Sequence, residues 1–386
     1  MSYPDRAAAI AERVERFVRE VVVPYETDPR LGSHGPSDEL VAEMRGLARA
    51  HGVLTPHIPD KGHLSHRETA LVLQAAGLSP IGPVAVNVAA PDEGNMHLLG
   101  KVATEAQKAR FLQPLIDGVA RSAFFMTEPA ADQGAGSDPS MLKTVARPDG
   151  DDWIIDGRKA FITGVVGASV GLVMARTEAG ATLFLIDLPD PAVRIERVLD
   201  TIDSALPGGH SIVSLEGLRV PGSQVLGEVG EGFRYAQVRL APARLTHCMR
   251  WYGAARRAHE IATDYAMRRQ AFGKSLIEHE GVGFMLAENK IALKQAELMI
   301  DWCAGVLDEG RGGTTESSMT KVAVSEGLYG VADRCVQIMG GTGVSRDTVV
   351  EQVFREIRAF RIYDGPTEVH KWSLARKIAR DFGRAA

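Results

Sequence analysis

The apolar pattern of this chain changes period twice, and that double change restricts the architectures open to it. Up to about residue 122 apolar side chains recur at helical spacing. Residues of about 123–230 break into short β-rich runs, and the helical period returns after Gly232. Helices, then strands, then long helices is not a βαβ alternation, so a Rossmann-type sheet is not expected. The expected fold class is α+β, mainly α. It comprises an N-terminal helical domain over 1–122, a middle β domain over 123–232 and a C-terminal helical bundle over 233–386. A length of 386 residues accommodates two or three such domains and a large core.

The first helix is expected from Arg6 to Val23, with Pro24 as its stop. A second opens at Pro36-Ser37-Asp38-Glu39 and runs to Ala50, with Ser37 or Asp38 as N-cap. His66 to Ala76 reads as a third, Asn87 to Leu99 enters another, and Thr104 with Gln107 forms a capping-box pattern. On pattern the first 120 residues are all-helical. Within the middle segment, Trp153 to Ile162 reads as a hairpin around Asp156-Gly157. Val170–Arg176 and Ala181–Asp187 form a further strand pair, and Val193–Val198 and Ser211–Val220 add β runs. Beyond Gly232, three long apolar stripes run from Val238 to Tyr265, Met285 to Val306 and Met319 to Ile338, as in antiparallel bundles.

Composition narrows the function classes. A net charge of −5 gives no pull toward nucleic acid or an anionic membrane surface. Gly164 to Ala175, an uncharged apolar run, is 12 residues, short of a bilayer span. No secretory hydrophobic region follows the amphipathic N-terminus. Cys248, Cys303 and Cys335 lack metal-site spacing and read as reduced core residues of a cytoplasmic protein. His51, His57, His63 and His66 are separated by Gly and Pro, fit no ligand motif, and read as loop histidines; no metal is expected.

Two stretches carry chemistry. Arg355 to His370 places one carboxylate, Asp364, directly before Gly365-Pro366, and a Gly-Pro break holds the preceding side chain at an element end. Asp364 is either a catalytic group or an acceptor of backbone N–H bonds in the turn. The second is Phe125-Met126-Thr127-Glu128-Pro129 followed by Gly134-Ala135-Gly136-Ser137-Asp138. There a hydroxyl and a carboxylate adjoin a glycine-rich turn whose N–H groups could approach phosphate, unless it is a plain connecting loop.

Together with Lys159-Ala160-Phe161-Ile162-Thr163, Arg269-Gln270-Ala271-Phe272-Gly273-Lys274, Gln337 to Gly343 and Tyr363-Asp364-Gly365, these segments resemble the signatures of the acyl-CoA dehydrogenase superfamily, in that family's order. The resemblance implies a helical domain, a β domain and a C-terminal four-helix bundle. It also implies FAD as cofactor, an acyl-CoA substrate, an electron-transfer flavoprotein as acceptor, and a homodimer or homotetramer. Phe124, Phe125, Met126, Thr127 and Ser137 would line the flavin and acyl-CoA, with Thr127 on the flavin's polar edge. Phe161 and Ile162 would lie beside the isoalloxazine, and the Thr163 hydroxyl would bond N5. Arg269, Ala271, Phe272, His279, Gln337, Gly340 and Gly341 would reach the FAD of a neighbouring subunit, and Thr367 and Glu368 would meet the cofactor. Arg244, Arg376, Ser137 and Gly365 would contact the substrate.

Asp364 matches the family's catalytic glutamate. It would take the α-proton while hydride leaves to N5, giving a trans-2-enoyl-CoA. Three departures stand out: Asp in place of Glu, Ala243 where some branches carry a helix-borne base, and the extra residues Ala130-Ala131-Asp132-Gln133, which bear on Ser137. The Asp-Gly-Pro-x-Glu-Val-His segment and Ala90 to Met96 resemble a branch handling longer or branched acyl-CoAs. Two alternatives are a flavin oxidase of the nitroalkane-oxidase type, which also uses Asp, and a non-catalytic partner subunit.

Overall fold

The computed structural model of the chain describes residues 5–59, 62–136 and 138–383. Their helices are α1 (Asp5–Phe17), α2 (Asp38–Ala50), α3 (His66–Ala76), α4 (Asp92–Val102), α5 (Gly232–Arg268), α6 (Glu280–Asp308), α7 (Thr314–Met339), α8 (Val350–Phe360) and α9 (Thr367–Asp381), with shorter turns between them. The strands are β1 (Ser122–Phe125), β2 (Val145–Asp149), β3 (Asp152–Thr163), β4 (Val170–Thr177), β5 (Gly180–Asp187), β6 (Val193–Leu199) and β7 (His210–Pro221). By mutual contact the residues sort into two compact units. A bundle unit gathers 1–28, 56–86 and 244–386, and a sheet unit gathers 29–55 and 87–243. Helix α5 is shared between them, changing unit at Arg244, just past its internal Pro242. Among the described residues no helix is long and apolar enough to cross a membrane.

In the bundle unit α3 packs on α5 with almost no side chain between them. A Cβ at Gly77 would lie 1.9 Å from the Arg250 carbonyl oxygen, and one at Gly253 would lie 2.2 Å from that of Gln74. Both positions therefore require glycine for the close approach. The three cysteines are free and buried. Ser65 caps α3 with a reciprocal Glu68 bond. The expectation that Pro24 ends the first helix is not met. Helix α1 stops at Phe17, and the chain winds on through a π turn (Val18–Val22) into a 3-10 turn (Val23–Thr27). Pro24 sits in the first turn of that last element, where its missing N–H needs no partner.

In the sheet unit Ser37 caps α2 by accepting from Leu40 N–H. An antiparallel ribbon pairing Leu31–Gly32 with Gly35–Pro36 corrects the all-helical reading of the first 120 residues; two-residue strands are too short to show a period. The large sheet runs β1-β4-β2-β3-β7-β6, with β5 antiparallel along β4. Phe125, Ile155, Ile162, Val173, Phe184 and Val213 belong to its core.

The expected hairpin at Asp156-Gly157 is a misreading. Strand β3 runs unbroken through both residues and carries a bulge there against β7. The Asp-Gly that does turn the chain is Asp149-Gly150, with Gly150 at φ +64° and Asp149 paired to Asp152. Gly157 serves another purpose: a Cβ on it would meet Thr144 Oγ1 at 2.5 Å. Its absence lets Thr144 reach Glu128.

Candidate active site

Asp364 lies in a tight turn between α8 and α9, in the left-handed region at φ +53°, followed by Gly365 at φ +103°. That conformation costs a non-glycine residue free energy, so the surroundings must hold it in place. Arg244 Nε donates to the Asp364 carbonyl at 3.0 Å, and His370 Nε2 lies 3.3 Å from the same oxygen. The fully buried Lys321 ammonium bridges the Phe360 and Gly365 carbonyls at 2.7 and 3.0 Å, closing the turn from beneath. Burial pushes Lys321 down to about 8. Burial, then the charges of Arg244 and Lys321, push His370 down to about 4, so it is a neutral imidazole near pH 7. Its Nε2–H therefore serves as donor, while Nδ1, 3.1 Å from Ser318 Oγ, accepts.

The carboxylate has a contact of its own on α5. His247 Nε2 lies 3.3 Å from Asp364 Oδ2, with side chains only 9% and 22% exposed. Arg250 Nη2 approaches His247 Nδ1 at 3.1 Å. A guanidinium can only donate, so Nδ1 carries no hydrogen and Nε2–H is directed at the carboxylate. The His247 ring packs 4.8 Å from that of Tyr363, whose hydroxyl accepts from Trp251 Nε1. Helix α5 thus presents Arg244, His247 and Trp251 on one face, at i, i+3 and i+7, to the turn that bears Asp364.

In the sheet unit the predicted residues divide by direction. Phe125 and Ile162 are buried in the core and can offer only backbone groups outward. Phe124 is half-buried with the Arg239 guanidinium 4.2 Å from its ring. Phe161 is 61% exposed at φ +55°, on a second bulge of β3 between Lys159 and Ile162. Thr163 Oγ1 lies 2.8 Å from His210 Nδ1. The Thr127 hydroxyl has no hydrogen-bond partner among the described residues, while its carbonyl accepts from Ala160 N–H at 2.9 Å.

Beneath this edge Lys159 Nζ, fully buried, donates to the Met126 carbonyl at 3.2 Å and to Glu128 Oε1 at 3.1 Å. Glu128 also accepts from Thr144, Lys143 and Ala135. Burial alone would raise its carboxyl, but the Lys159 charge and these donors outweigh it and hold it at about 2.

The family models for the N-terminal, middle and C-terminal domains of acyl-CoA dehydrogenase match residues 4–119, 123–204 and 230–379 in turn. Over 383 residues the chain is 35% identical to Probable acyl-CoA dehydrogenase FadE2 of Mycobacterium tuberculosis, covering 94% of this chain and 93% of that one. The chain belongs to the acyl-CoA dehydrogenase family. Acyl-CoA dehydrogenase family member 11 of Gallus gallus is 34% identical over 385 residues, which are 94% of this chain but 49% of that protein; the chain spans about half the length of that relative. Butyryl-CoA dehydrogenase from Megasphaera elsdenii shares the fold, with TM-score 0.87 at 25% identity over 98% of this chain and all of that one.

Other residues matching the acyl-CoA dehydrogenase pattern fall elsewhere in the bundle unit. Gln270-Ala271 and Lys274-Ser275 form a two-stranded ribbon whose turn, Phe272-Gly273, has both φ values positive and leaves Phe272 96% exposed. Arg269 precedes that ribbon, and His279 Nε2 lies 3.0 Å from the Ala271 carbonyl. Gln337 lies in the last turn of α7, and Gly340-Gly341 open the following 3-10 turn. Thr367 is buried and donates to Glu326 Oε1, whereas Glu368 is exposed. Arg376 stacks 4.7 Å from the Trp372 ring on α9. Ser137 lies outside the described residues.

The extra residues Ala130 to Gln133 are absorbed as a closed loop. Ala130–Asp132 make a 3-10 turn, Glu128 N–H donates to Ala135 C=O at 2.7 Å, and Arg158 and Lys143 tie down Asp132. Sequence reasoning missed His247, Arg250, Lys321 and His210, and it noted His370 only as part of the Asp364 segment. For His247 the available signal was its spacing of three from Arg244 on α5.

Proposed function

We propose that this protein is an FAD-dependent dehydrogenase that converts an acyl-CoA thioester to its trans-2-enoyl-CoA, with Asp364 accepting the α-proton. The observation carrying the proposal is the Asp364 turn. Its backbone is clamped by Arg244, His370 and Lys321, while its carboxylate lies 3.3 Å from His247 Nε2 in a largely buried setting. A carboxylate so held is directed and partly desolvated, as a general base requires.

The sheet unit suits a flavin. Phe161 is a large ring kept out of the core by a strained bulge, beside the unpartnered Thr127 hydroxyl and the Thr163 hydroxyl, which fits a planar aromatic system with a polar rim. When bound, FAD supplies the hydride acceptor at N5. The Thr163 hydroxyl would lie beside that atom, Thr127 and the 124–127 backbone would take the ring's polar edge, and Phe161 would flank it. Arg244 would combine its hold on the Asp364 carbonyl with the substrate side of the site, and Arg376 would meet the CoA portion. Once Asp364 holds the proton, its Oδ2 still accepts from His247 Nε2–H, so the acid form keeps the same orientation.

The reading extends to assembly. Phe272, at the tip of its ribbon, and an apolar stripe on α6 (Phe284, Ile291, Leu298, Trp302, all at least 40% exposed) fit a homo-oligomer in which Phe272 reaches a neighbour's cofactor. An electron-transfer flavoprotein would take the electrons onward.

Purified protein is expected to carry FAD, and anaerobic addition of a suitable acyl-CoA is expected to bleach its visible absorbance. Bound FAD that no acyl-CoA of any chain length or branching bleaches would overturn the proposal. Oxygen uptake with a nitroalkane in the absence of CoA would point to the oxidase alternative.

A further inference from the structure

The sheet unit contains a hydroxyl–imidazole–carboxylate chain that the proposed reaction does not by itself require. Thr163 and His210 are cross-strand partners on β3 and β7, with Thr163 Oγ1 2.8 Å from His210 Nδ1. His210 Nε2 lies 2.8 Å from Asp203 Oδ2, the two side chains being 13% and 8% exposed. The geometry is pinned from outside: Gly164 N–H donates to the Gly209 carbonyl at 2.9 Å, so the residues flanking the pair are themselves bonded.

The polarity of this chain can be worked out from one end. Burial opposes the Asp203 charge, but the bond and charge of His210, the Thr201 hydroxyl and a backbone bond together outweigh it and hold the carboxyl below its usual range. An ionised carboxylate only accepts, so the hydrogen of a neutral His210 resides on Nε2. Nδ1 is then bare and takes the Thr163 hydroxyl hydrogen. The Thr163 oxygen is left with lone pairs alone to offer any further partner. It can accept a hydrogen bond, but it cannot donate one.

We infer that Asp203 and His210 are positioning residues that lock the Thr163 hydroxyl as an acceptor, so that this edge of the site favours the hydride-bearing N5–H of the flavin over bare N5. The inference rests on the proposed placement of N5 beside Thr163. An oxidised N5 needs a donor and meets lone pairs, whereas a reduced N5–H is a donor and finds an acceptor. The Asp203–His210–Thr163 chain therefore raises the flavin's tendency to accept hydride. It does so by fixing one hydrogen's direction, without moving a proton of its own.

The test is the two-electron midpoint potential of the FAD-loaded protein, measured by anaerobic dye equilibration, for wild type, His210→Gln, Thr163→Val and the double variant. A glutamine amide can donate to Thr163 and free its hydroxyl to donate to N5. His210→Gln is therefore expected to shift the oxidised-to-reduced equilibrium about tenfold toward oxidised flavin, which is about 30 mV for a two-electron couple. In the Thr163→Val background the same substitution is expected to have no effect, because the hydroxyl it reorients is gone. A His210→Gln potential equal to wild type, or an equal shift with and without the Thr163 hydroxyl, overturns the inference. A Thr163→Val potential equal to wild type, or protein that binds no FAD, overturns instead the placement of N5 on which it rests. A structural role for His210 would alter flavin content or stability, but it would not produce a shift that vanishes with the hydroxyl.

Discussion

Asp364→Asn is expected to slow flavin reduction by an acyl-CoA by about 10⁴-fold, the upper range for removing a positioned general base, while leaving FAD content and fold intact. The substitution is well suited to separating chemistry from structure. Asn tolerates the left-handed backbone that Asp364 adopts at φ +53°. Its side-chain oxygen can still accept from His247 Nε2–H, which lies 3.3 Å from Asp364 Oδ2. The carbonyl clamps from Arg244 and His370 are to the main chain and are untouched. What is lost is proton affinity and one negative charge beside the buried Arg244 and Lys321. Stopped-flow bleaching at a rate close to wild type would remove Asp364 from the role of base.

The second large effect concerns stability. Lys159→Met is expected to destabilise the protein by about 3–5 kcal/mol, because it leaves the Glu128 carboxylate buried without its cation. Much of that loss should return in the Lys159→Met/Glu128→Gln double variant, where no charge remains to be compensated. Acid titration gives an independent check on Glu128. Its carboxyl is depressed from 4.5 to about 2 in the folded state, equivalent to about 3 kcal/mol. A depressed folded-state value contributes stability that is complete above pH 4.5 and is lost as pH falls toward about 2. Urea unfolding across that window should therefore fall more steeply for wild type than for Glu128→Gln. Parallel acid limbs would contradict the assignment. The functional consequence follows from position: Lys159 also holds the Met126 carbonyl, and Ala160 N–H holds that of Thr127. Loosening the buried pair therefore loosens the edge proposed to receive the flavin.

What the sequence made legible was whatever is written locally. Helix α3 runs over the predicted His66–Ala76, because Ser65 and Glu68 form a cap that needs no distant partner. The β4–β5 pair follows from a short turn and two apolar runs. The Asp-Gly at 156–157 misled for the opposite reason. Its geometry is set by Thr144, which approaches so closely that only glycine fits, and nothing adjacent in sequence records that contact. The site shows the same division. Asp364 stood out because Gly365 and Pro366 follow it. The side chains that hold it are hidden inside helical stripes, with His247 beside Cys248 on α5 and Lys321 between Thr320 and Val322 on α7. Neither has a linear pattern tying it to position 364. His210 and Asp203 were passed over as the margin of a β run, since their pairing with Thr163 exists only once β3 and β7 are in register.

The most direct test of the central claim is the isotope dependence of anaerobic flavin bleaching by an acyl-CoA carrying deuterium at C2. With Asp364 removing the α-proton in the step that reduces the flavin, deuteration at C2 should slow bleaching in the wild-type protein, and deuteration at C3 should slow it as well. Bleaching that is indifferent to deuterium at C2 would show that no base acts there and would contradict the account.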